Sequence, residues 1–280
     1  PSPREVHSFP AVLRITRFTF NPFDENTWVL DNGREALLVD PGCSDADEQR
    51  ELENWLATNR LTPIRLLLTH AHLDHVLGCA WMHRRFGLLP ELHRADLPLL
   101  DLAERQGLIY GIPCEPPPAP TKFFAPGDII TLGDEQLEVL FVPGHAPGHI
   151  AFWHPEQRFV ISGDVLFQRS IGRTDLPGGD MDTLIASIRT ELFPLGDDVK
   201  VHCGHGPDTT IGEERRLNPF WREVPLHEPA RACAKRKSYC RLYSGFTTLC
   251  RSNSLFFTGG HSQPLRARRK RKRTLRMSGR

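Results

Sequence analysis

Four side chains that can bind a metal ion follow one short apolar segment. The segment Ile64–Leu68 predicts a buried strand, and Thr69-His70-Ala71-His72-Leu73-Asp74-His75 comes directly after it. Three imidazoles and a carboxylate are costly to bury unless they find partners, because buried polar groups lose their hydration. A bound cation is such a partner, since imidazole nitrogens and carboxylate oxygens are ordinary zinc ligands. The cluster therefore predicts a metal site at the carboxyl end of a strand.

Three more candidate ligands each lie beside a glycine at the end of a predicted strand. They are His145 in Pro143-Gly144-His145, Asp164 in Ser162-Gly163-Asp164, and His205 in Gly204-His205-Gly206. Glycine permits sharp turns that direct a neighbouring side chain away from its strand. With the first cluster they make seven candidate ligands, the number that a two-metal site needs if one carboxylate bridges.

The pattern of apolar residues predicts strands mixed with helices in both halves of the chain. The predicted strands are Ala11–Ile15, Asn26–Leu30, Glu35–Val39, Ile64–Leu68, Gln136–Val142, Ile150–Trp153, Phe159–Ile161 and Val199–His202. One helix is predicted to run to about Thr58 with Ser44 as its N-cap, and another to span Asp182–Phe193. The mixture favours an α/β (α+β) sandwich with helices outside.

The seven ligands resemble the binuclear motif of the metallo-β-lactamase superfamily, and the resemblance covers roughly residues 12–221. It implies a four-layer αββα sandwich with two divalent metal ions at one edge of its sheets. It also implies that the first ion is held by His70, His72 and His145. The second would be held by Asp74, His75 and His205, with Asp164 bridging both. Zinc is the expected metal, although iron and manganese accept the same mixed nitrogen and oxygen ligands.

The segment from Leu166 to Asp180 resembles that of the short glyoxalase II-like hydrolases. These enzymes are similar to hydroxyacylglutathione hydrolase but lack its helical C-terminal domain. The resemblance implies a metal-dependent thioesterase that cleaves a small-molecule thioester such as S-lactoylglutathione. Arg173, in the Gly172–Asp175 turn, is the predicted contact for the anionic end of the substrate. A structural ion pair between Arg173 and Asp175 is the alternative.

A metal-bound hydroxide is the predicted nucleophile. Divalent cations lower the pKa of a bound water towards about 7, so that hydroxide is available to attack a carbonyl carbon at neutral pH. Asp74 is the candidate catalytic residue, as a ligand that also orients this water. No protein nucleophile is needed, and Cys203 is interpreted as a buried thiol.

Charge divides the chain into two regions. Residues 224–280 contain 15 Lys or Arg and one acidic residue, whereas residues 1–223 carry a net charge of −13. We therefore expect a hydrolase domain over residues 1–223 and a basic, disordered tail over residues 224–280. Because of the basic run Arg268–Arg273, nucleic-acid binding through the tail remains an alternative function. A tail without function is favoured, so nucleic acid is not the expected partner.

Another enzyme class remains open beside thioester hydrolysis. A persulfide dioxygenase, which uses one iron, shares the fold, His70, His145, Asp164 and a Gly-Arg-Thr-Asp turn. The loop from Gly172 to Asp180 makes a lactonase or a β-lactamase a weaker interpretation.

Composition predicts a cytoplasmic protein that does not enter a membrane. The chain has no apolar run near the roughly 18 residues of a membrane span, and its first residues show no secretory signal. Its seven cysteines form no C-x-x-C pair, which is typical of free thiols in a reducing compartment.

Overall fold

The computed structural model, which describes residues 12–221, contains two six-stranded sheets and one two-stranded ribbon. The first sheet contains, in spatial order, β1 (Arg14–Phe20), β2 (Glu25–Asp31), β3 (Glu35–Val39), β4 (Thr62–Leu67), β5 (Pro90–His93) and β6 (Lys122–Phe124). Strands β1 to β3 are antiparallel, and β3 to β6 are parallel.

The second sheet follows along the chain. Its strands are β7 (Ile129–Leu132), β8 (Glu135–Phe141), β9 (Ile150–His154), β10 (Phe159–Gly163), β13 (Lys200–Cys203) and β14 (Thr209–Thr210). The two-stranded ribbon, which lies between β10 and β13 along the chain, consists of β11 (Leu166–Phe167) and β12 (Ser170–Ile171). The spatial order is β14-β13-β10-β9-β8-β7, with β10 and β13 parallel and the other pairs antiparallel.

The helices connect these strands. They are α1 (Ala46–Thr58), α2 (Leu73–Val76), α3 (Cys79–Phe86), α4 (Leu97–Asp101), α5 (Ala103–Tyr110), α6 (Met181–Ser187) and α7 (Ile211–Leu217). The predicted helix over Asp182–Phe193 is α6 together with the π-helical turn Ile188–Leu192 that continues it. No helix among the described residues is long and apolar enough to cross a membrane.

Alternate residues along the central strands explain the layers. Trp28 and Leu30 of β2 pack between the sheets, together with Phe152 of β9. Val29 of β2 instead packs against helices on the outer face of the first sheet, and Val160 of β10 does the same on the second. Because helices cover both outer faces, these strands are apolar on both sides. The predicted four-layer αββα sandwich is thereby confirmed.

Two local predictions near the start of the chain are wrong. The first strand begins at Arg14 rather than at Ala11 and extends to Phe20, because every residue over that range pairs with β2. The N-cap of α1 is Asp45 rather than Ser44. The Asp45 carboxylate accepts hydrogen bonds from the first turn, whereas Ser44 donates to Glu48.

Nothing in the described residues tests the predicted boundary at residue 223. The predicted basic tail, with its run Arg268–Arg273, lies outside residues 12–221. The division into a hydrolase domain and a tail therefore stays a prediction.

Candidate metal centre

All seven predicted ligands lie after the ends of strands or in the short helix α2. They are His70 and His72 after β4, Asp74 and His75 in α2, His145 after β8, Asp164 after β10, and His205 after β13. These positions meet at one edge of the sandwich, where the side chains from both sheets come within a few ångströms of each other.

The first group of side chains consists of His70, His72 and His145. One ring nitrogen of each lies within 4.8 Å of the other two, and all three residues are buried. The Nδ1 atom of His72 is 2.8 Å from Nε2 of His145. On its other side, Nδ1 of His145 donates to the carbonyl oxygen of Arg173 at 2.7 Å. Because a carbonyl only accepts, the proton lies on Nδ1, and Nε2 of neutral His145 is available as a ligand.

The second group consists of Asp74, His75 and His205, whose ligand atoms meet the same 4.8 Å limit. The Oδ2 atom of Asp74 lies 3.0 Å from Nε2 of His205 and 3.5 Å from Nε2 of His75. The side chains of Asp74 and His205 are 17% and 27% exposed, so solvent reaches this group. It is the open side of the centre.

Asp164 lies between the two groups. Its Oδ2 atom is 3.5 Å from Nε2 of His145, in the first group, and 3.5 Å from Nε2 of His205, in the second. Its Oδ1 atom is 3.4 Å from Nε2 of His75. This position fits a carboxylate shared by two cations.

Several buried side-chain atoms of the candidate ligand residues have no hydrogen-bond partner in the described part of the chain. They are Nε2 of His70, Nε2 of His72, Nε2 of His75 and Oδ1 of Asp164, all of them buried. Buried polar atoms in native proteins are nearly always paired, so atoms left without partners require an explanation. A divalent cation accepts this combination of imidazole nitrogens and carboxylate oxygens. The residues present therefore fit a bound metal.

The electrostatic states of the two groups differ. Burial, reinforced by His145, lowers the pKa of His72 to about 3, and burial also lowers the pKa of His70 well below its ordinary value. Neutral imidazole is the form that binds metals. Burial also disfavours charge on His75, but the carboxylates of Asp74 and Asp164 outweigh it and raise the pKa of His75. The first group is neutral, and the second pairs opposite charges.

Two glycines allow the backbone to pass close to these side chains. Gly163, before Asp164, has φ +49°, and a Cβ there would lie 2.8 Å from Cε1 of His149. A Cβ on Gly204 would lie 3.0 Å from Cε1 of His75 and would also overlap the Asp164 carboxylate. A larger residue at position 204 would displace the candidate ligands Asp164 and His75, whereas one at position 163 would displace His149 and Thr69.

Sequence reasoning missed Asp40. It forms a third potential metal-binding group with His70 and His75. Its buried carboxylate accepts from the amide (2.7 Å) and the hydroxyl (2.6 Å) of Thr69, and its Oδ2 lies 3.2 Å from Nδ1 of His75. Asp40 therefore holds the start of the histidine cluster in place. The sequence offered only Asp40-Pro41-Gly42, which is also an ordinary turn.

Asp96 is a second missed residue. It is completely buried, and it accepts hydrogen bonds from the amides of Ala71 (2.9 Å) and Gly148. Ala71 lies between His70 and His72, and Gly148 lies in the loop between β8 and β9 that carries His145. One carboxylate thus joins the two loops of the first group. No short sequence motif marks such a contact between distant loops.

The side chain of Arg173 forms an ion pair, while its carbonyl oxygen contacts His145. Its guanidinium group donates to both oxygens of Asp175, at 2.7 and 2.8 Å, and is 60% exposed. The structural ion pair foreseen as the alternative is therefore present. A role of Arg173 in substrate binding stays a prediction.

Comparisons with known proteins agree with this centre. Residues 20–205 match the metallo-beta-lactamase superfamily. The chain is 40% identical over 211 residues to hydroxyacylglutathione hydrolase GloC of Haemophilus influenzae, covering 74% of this chain and 98% of that protein. Two solved structures are similar: BLEG-1 B3 metallo-beta-lactamase (TM-score 0.68, 35% identity, 74% and 99% coverage) and TTHA1623 in a di-iron-bound form (TM-score 0.66, 40% identity, 73% and 99% coverage). The chain therefore belongs to the metallo-beta-lactamase superfamily.

Proposed function

We propose that this metallo-hydrolase cleaves a small-molecule thioester such as S-lactoylglutathione with the help of two divalent metal ions. One observation carries the proposal. Candidate ligands from both sheets converge on one edge of the sandwich, and four of their buried nitrogen and oxygen atoms have no hydrogen-bond partner in the described residues. The 40% identity to a hydroxyacylglutathione hydrolase favours a thioester among the possible substrates.

Each ligand has a proposed place in the centre. His70, His72 and His145 would hold the first ion, and Asp74, His75 and His205 would hold the second. Asp164, which lies between the two groups, would be a ligand shared by both ions. When bound, the ions would lower the pKa of a coordinated water towards about 7 and polarise the substrate carbonyl. Zinc is the proposed metal. The di-iron form of TTHA1623, a 40% identical protein, keeps iron as an alternative.

The protein residues position the reactants. The Asp74 carboxylate faces the open side of the centre and accepts a hydrogen bond from an attacking water, which orients that water towards the substrate. The guanidinium group of Arg173 releases Asp175 and binds the anionic end of the substrate in its place. A thiolate is a good leaving group and demands little help from an acid. Cys203 is fully buried, which agrees with a mechanism that needs no protein nucleophile.

We also propose that the protein acts in the cytoplasm. Cys43, Cys79, Cys114 and Cys203 are all free thiols. Free thiols are typical of reducing compartments. The test labels the partly exposed Cys114 with a membrane-impermeant thiol reagent before and after cells are lysed, since a cytoplasmic protein is labelled only after lysis.

The central experiment measures metal content and hydrolysis together on the full chain. We expect about two ions per chain by plasma mass spectrometry and thiol release from S-lactoylglutathione. His70→Ala should lower the rate about 100-fold or more, since even outer-shell changes at metal sites cost 10–100-fold. His83→Ala is the matched control, because His83 is an exposed histidine of α3 outside the centre. Metal-loaded protein that is inert towards every glutathione and coenzyme A thioester would rule out the proposal.

Hydrolysis of β-lactams is a second candidate, because BLEG-1, titled a B3 metallo-beta-lactamase, is 35% identical to this chain. A chromogenic cephalosporin in the same assay separates the two activities. Oxygen consumption on glutathione persulfide tests the persulfide dioxygenase with one iron. A chain that consumes oxygen and carries one iron would replace the thioesterase proposal.

A further inference from the structure

The side-chain amide of Asn26 holds the loop that carries His205. Asn26 lies in β2 and is 1% exposed. Its Nδ2 atom donates to the carbonyl oxygens of Cys203 (3.1 Å) and Gly206 (2.8 Å). One amide group therefore contacts the loop on both sides of His205.

Backbone contacts strengthen the same connection. The amide nitrogen of Asn26 donates to the carbonyl oxygen of Gly204 at 2.7 Å, and Glu25 pairs with His205 in an isolated β-bridge. The hydroxyl of Thr19 donates to Oδ1 of Asn26 at 3.0 Å. This bond fixes the orientation of the amide, since Oδ1 must face Thr19 and Nδ2 must face the loop.

The β1–β2 turn makes further contacts to the second group. Nδ1 of His205 donates to the carbonyl oxygen of Phe23 at 3.0 Å, which leaves Nε2 facing Asp74. Nδ2 of Asn21 donates to the carbonyl oxygen of Asp74 at 3.0 Å. The hairpin formed by β1 and β2 thus holds the side chain of His205 and the backbone of Asp74, two residues of the second group.

The first group has different supports. Its loops are held by Asp96, through Ala71 and Gly148, and by the carbonyl oxygen of Arg173. Among the described residues, the hydrogen bonds of Asn26 go to the His205 loop and to Thr19, and none goes to the first group. Its influence is therefore confined to one side of the centre.

We propose that Asn26 is a positioning residue for the second metal ion, acting through the loop that carries His205. This inference rests on the proposed two-metal centre. A carboxamide at this position keeps His205 at the distance from Asp74 and Asp164 that joint binding of one ion requires. Without it, the loop loses two of its hydrogen bonds to the first sheet, while the first group keeps all of its own.

The test is zinc binding to the full chain at controlled free zinc concentrations. We expect Asn26→Ala to weaken the binding of one of two zinc ions about 10–100-fold, the usual effect of losing an outer-shell partner, and to leave the other unchanged. Asn26→Asp conserves the volume but replaces the donors with an acceptor. It should therefore weaken zinc binding at least as much, which a simple cavity effect would not do.

Asn218→Ala is the matched control. Asn218 is also fully buried, and its Nδ2 atom donates to the carbonyl oxygen of Ser170 (2.9 Å) and to Glu214 (3.0 Å), away from the ligands. It should lower the stability without selective loss of zinc. If Asn26→Ala does not fold, Thr19→Val replaces it, with a smaller shift in the same direction.

Selective loss of one ion in the Asn26 variants supports the proposal. Unchanged zinc binding, parallel loss of both ions as stability falls, or a wild-type chain that binds only one ion would overturn it. Thioester turnover is a separate readout. A chain that holds two zinc ions but cleaves no thioester removes the proposed substrate and leaves the role of Asn26 standing.

Discussion

The two groups of candidate ligands differ in chemistry as well as position. The first consists of three imidazoles that burial keeps neutral, as at His72. The second combines two imidazoles with Asp74 and is more open to solvent. Neutral nitrogens suit zinc, whereas a carboxylate broadens the range of metals that a site accepts. The first group therefore has the features of the more selective site.

The supports of the two groups also come from different parts of the fold. Asp96, just before α4, joins the loops of the first group, whereas Asn21 and Asn26 of the first hairpin hold the second. Asp164 has close contacts to both groups, and Asp40 forms a potential metal-binding group with one histidine of each, His70 and His75. Because the two groups have different supporting residues, each group can be weakened by itself. A substitution in either support should therefore have its own effect on metal binding.

The largest effect is expected from a change at Asp164, because it affects both groups. Asp164→Asn keeps the size of the side chain but removes the negative charge shared by the two groups. We expect metal content to fall below two ions per chain and the hydrolysis rate to drop about 100-fold or more. Metal analysis and thiol release measure these effects.

Asp134→Asn is the control for Asp164→Asn, since Asp134 lies exposed in the turn between β7 and β8. It should keep both metal and activity. Full metal content together with full activity in Asp164→Asn would show that the two groups do not share this carboxylate.

The next effect is expected at Asp96, which serves the first group alone. Asp96→Ala leaves the buried amides of Ala71 and Gly148 without their acceptor. Each such loss costs about 1–3 kcal/mol of the free energy of unfolding. We expect lower stability in urea and zinc binding about 10–100-fold weaker at the first site. Asp96→Ala should therefore weaken zinc binding at the first site and spare the second, whereas Asn26→Ala should weaken the second and spare the first.

The affinities of both zinc sites should be measured in Asp96→Ala and in Asn26→Ala, each made in the full chain. Asn218→Ala shows how far a loss of stability alone changes zinc binding. If both variants lose the same ion, the supports are not separate. The comparison between the two groups would then be wrong.

A smaller difference between the two groups is expected in the rate at which a chelator removes their metal ions. In the second group, the side chains of Asp74 and His205 are partly exposed, whereas His70 and His145 of the first group are buried. Solvent and a chelator therefore reach the second ion more readily. We expect excess chelator to remove the two ions in two phases, and we expect the faster phase to be faster still in zinc-loaded Asn26→Ala. A single phase in wild-type protein would contradict this.

The candidate ligands could be predicted from the sequence because their chemistry is local. Glycine next to a polar residue after an apolar segment marks His145, Asp164 and His205 without knowledge of the topology. Residues of the central strands face alternately the space between the sheets and the helices outside. Because both sides are apolar, most central strands appear in the sequence as continuous apolar segments, from which they were predicted. The first strand was misplaced because its polar residues resemble a loop, and only its pairing with β2 defines it.

The supporting residues could not be predicted in the same way. Asp96 lies 25 residues from Ala71 and 52 from Gly148, and Asn26 lies 180 from Gly206. Their partners are backbone groups, which leave no mark on the identity of the partner residue. An isolated Asp or Asn is as common in turns and caps as in such a contact. Only the assembled sandwich shows that each one holds a different side of the centre.

The smallest effect is expected at Arg173, whose backbone and side chain have separate roles. Arg173→Met retains the carbonyl oxygen that orients His145, so metal content should not change. The ion pair with Asp175 is exposed and screened by solvent, so stability should change little. If the guanidinium binds the anionic end of the substrate, the KM for S-lactoylglutathione should rise about fivefold to tenfold.

An uncharged thioester separates this role from a general effect on the centre. Its KM should be the same in wild-type protein and in Arg173→Met. Arg215→Met is the matched control, because Arg215 also forms an exposed ion pair, with Asp197. Equal rises in KM for charged and uncharged thioesters would show that Arg173 acts through His145 and the first group. Because the side chain is then no substrate contact, the ion pair with Asp175 would be its main role.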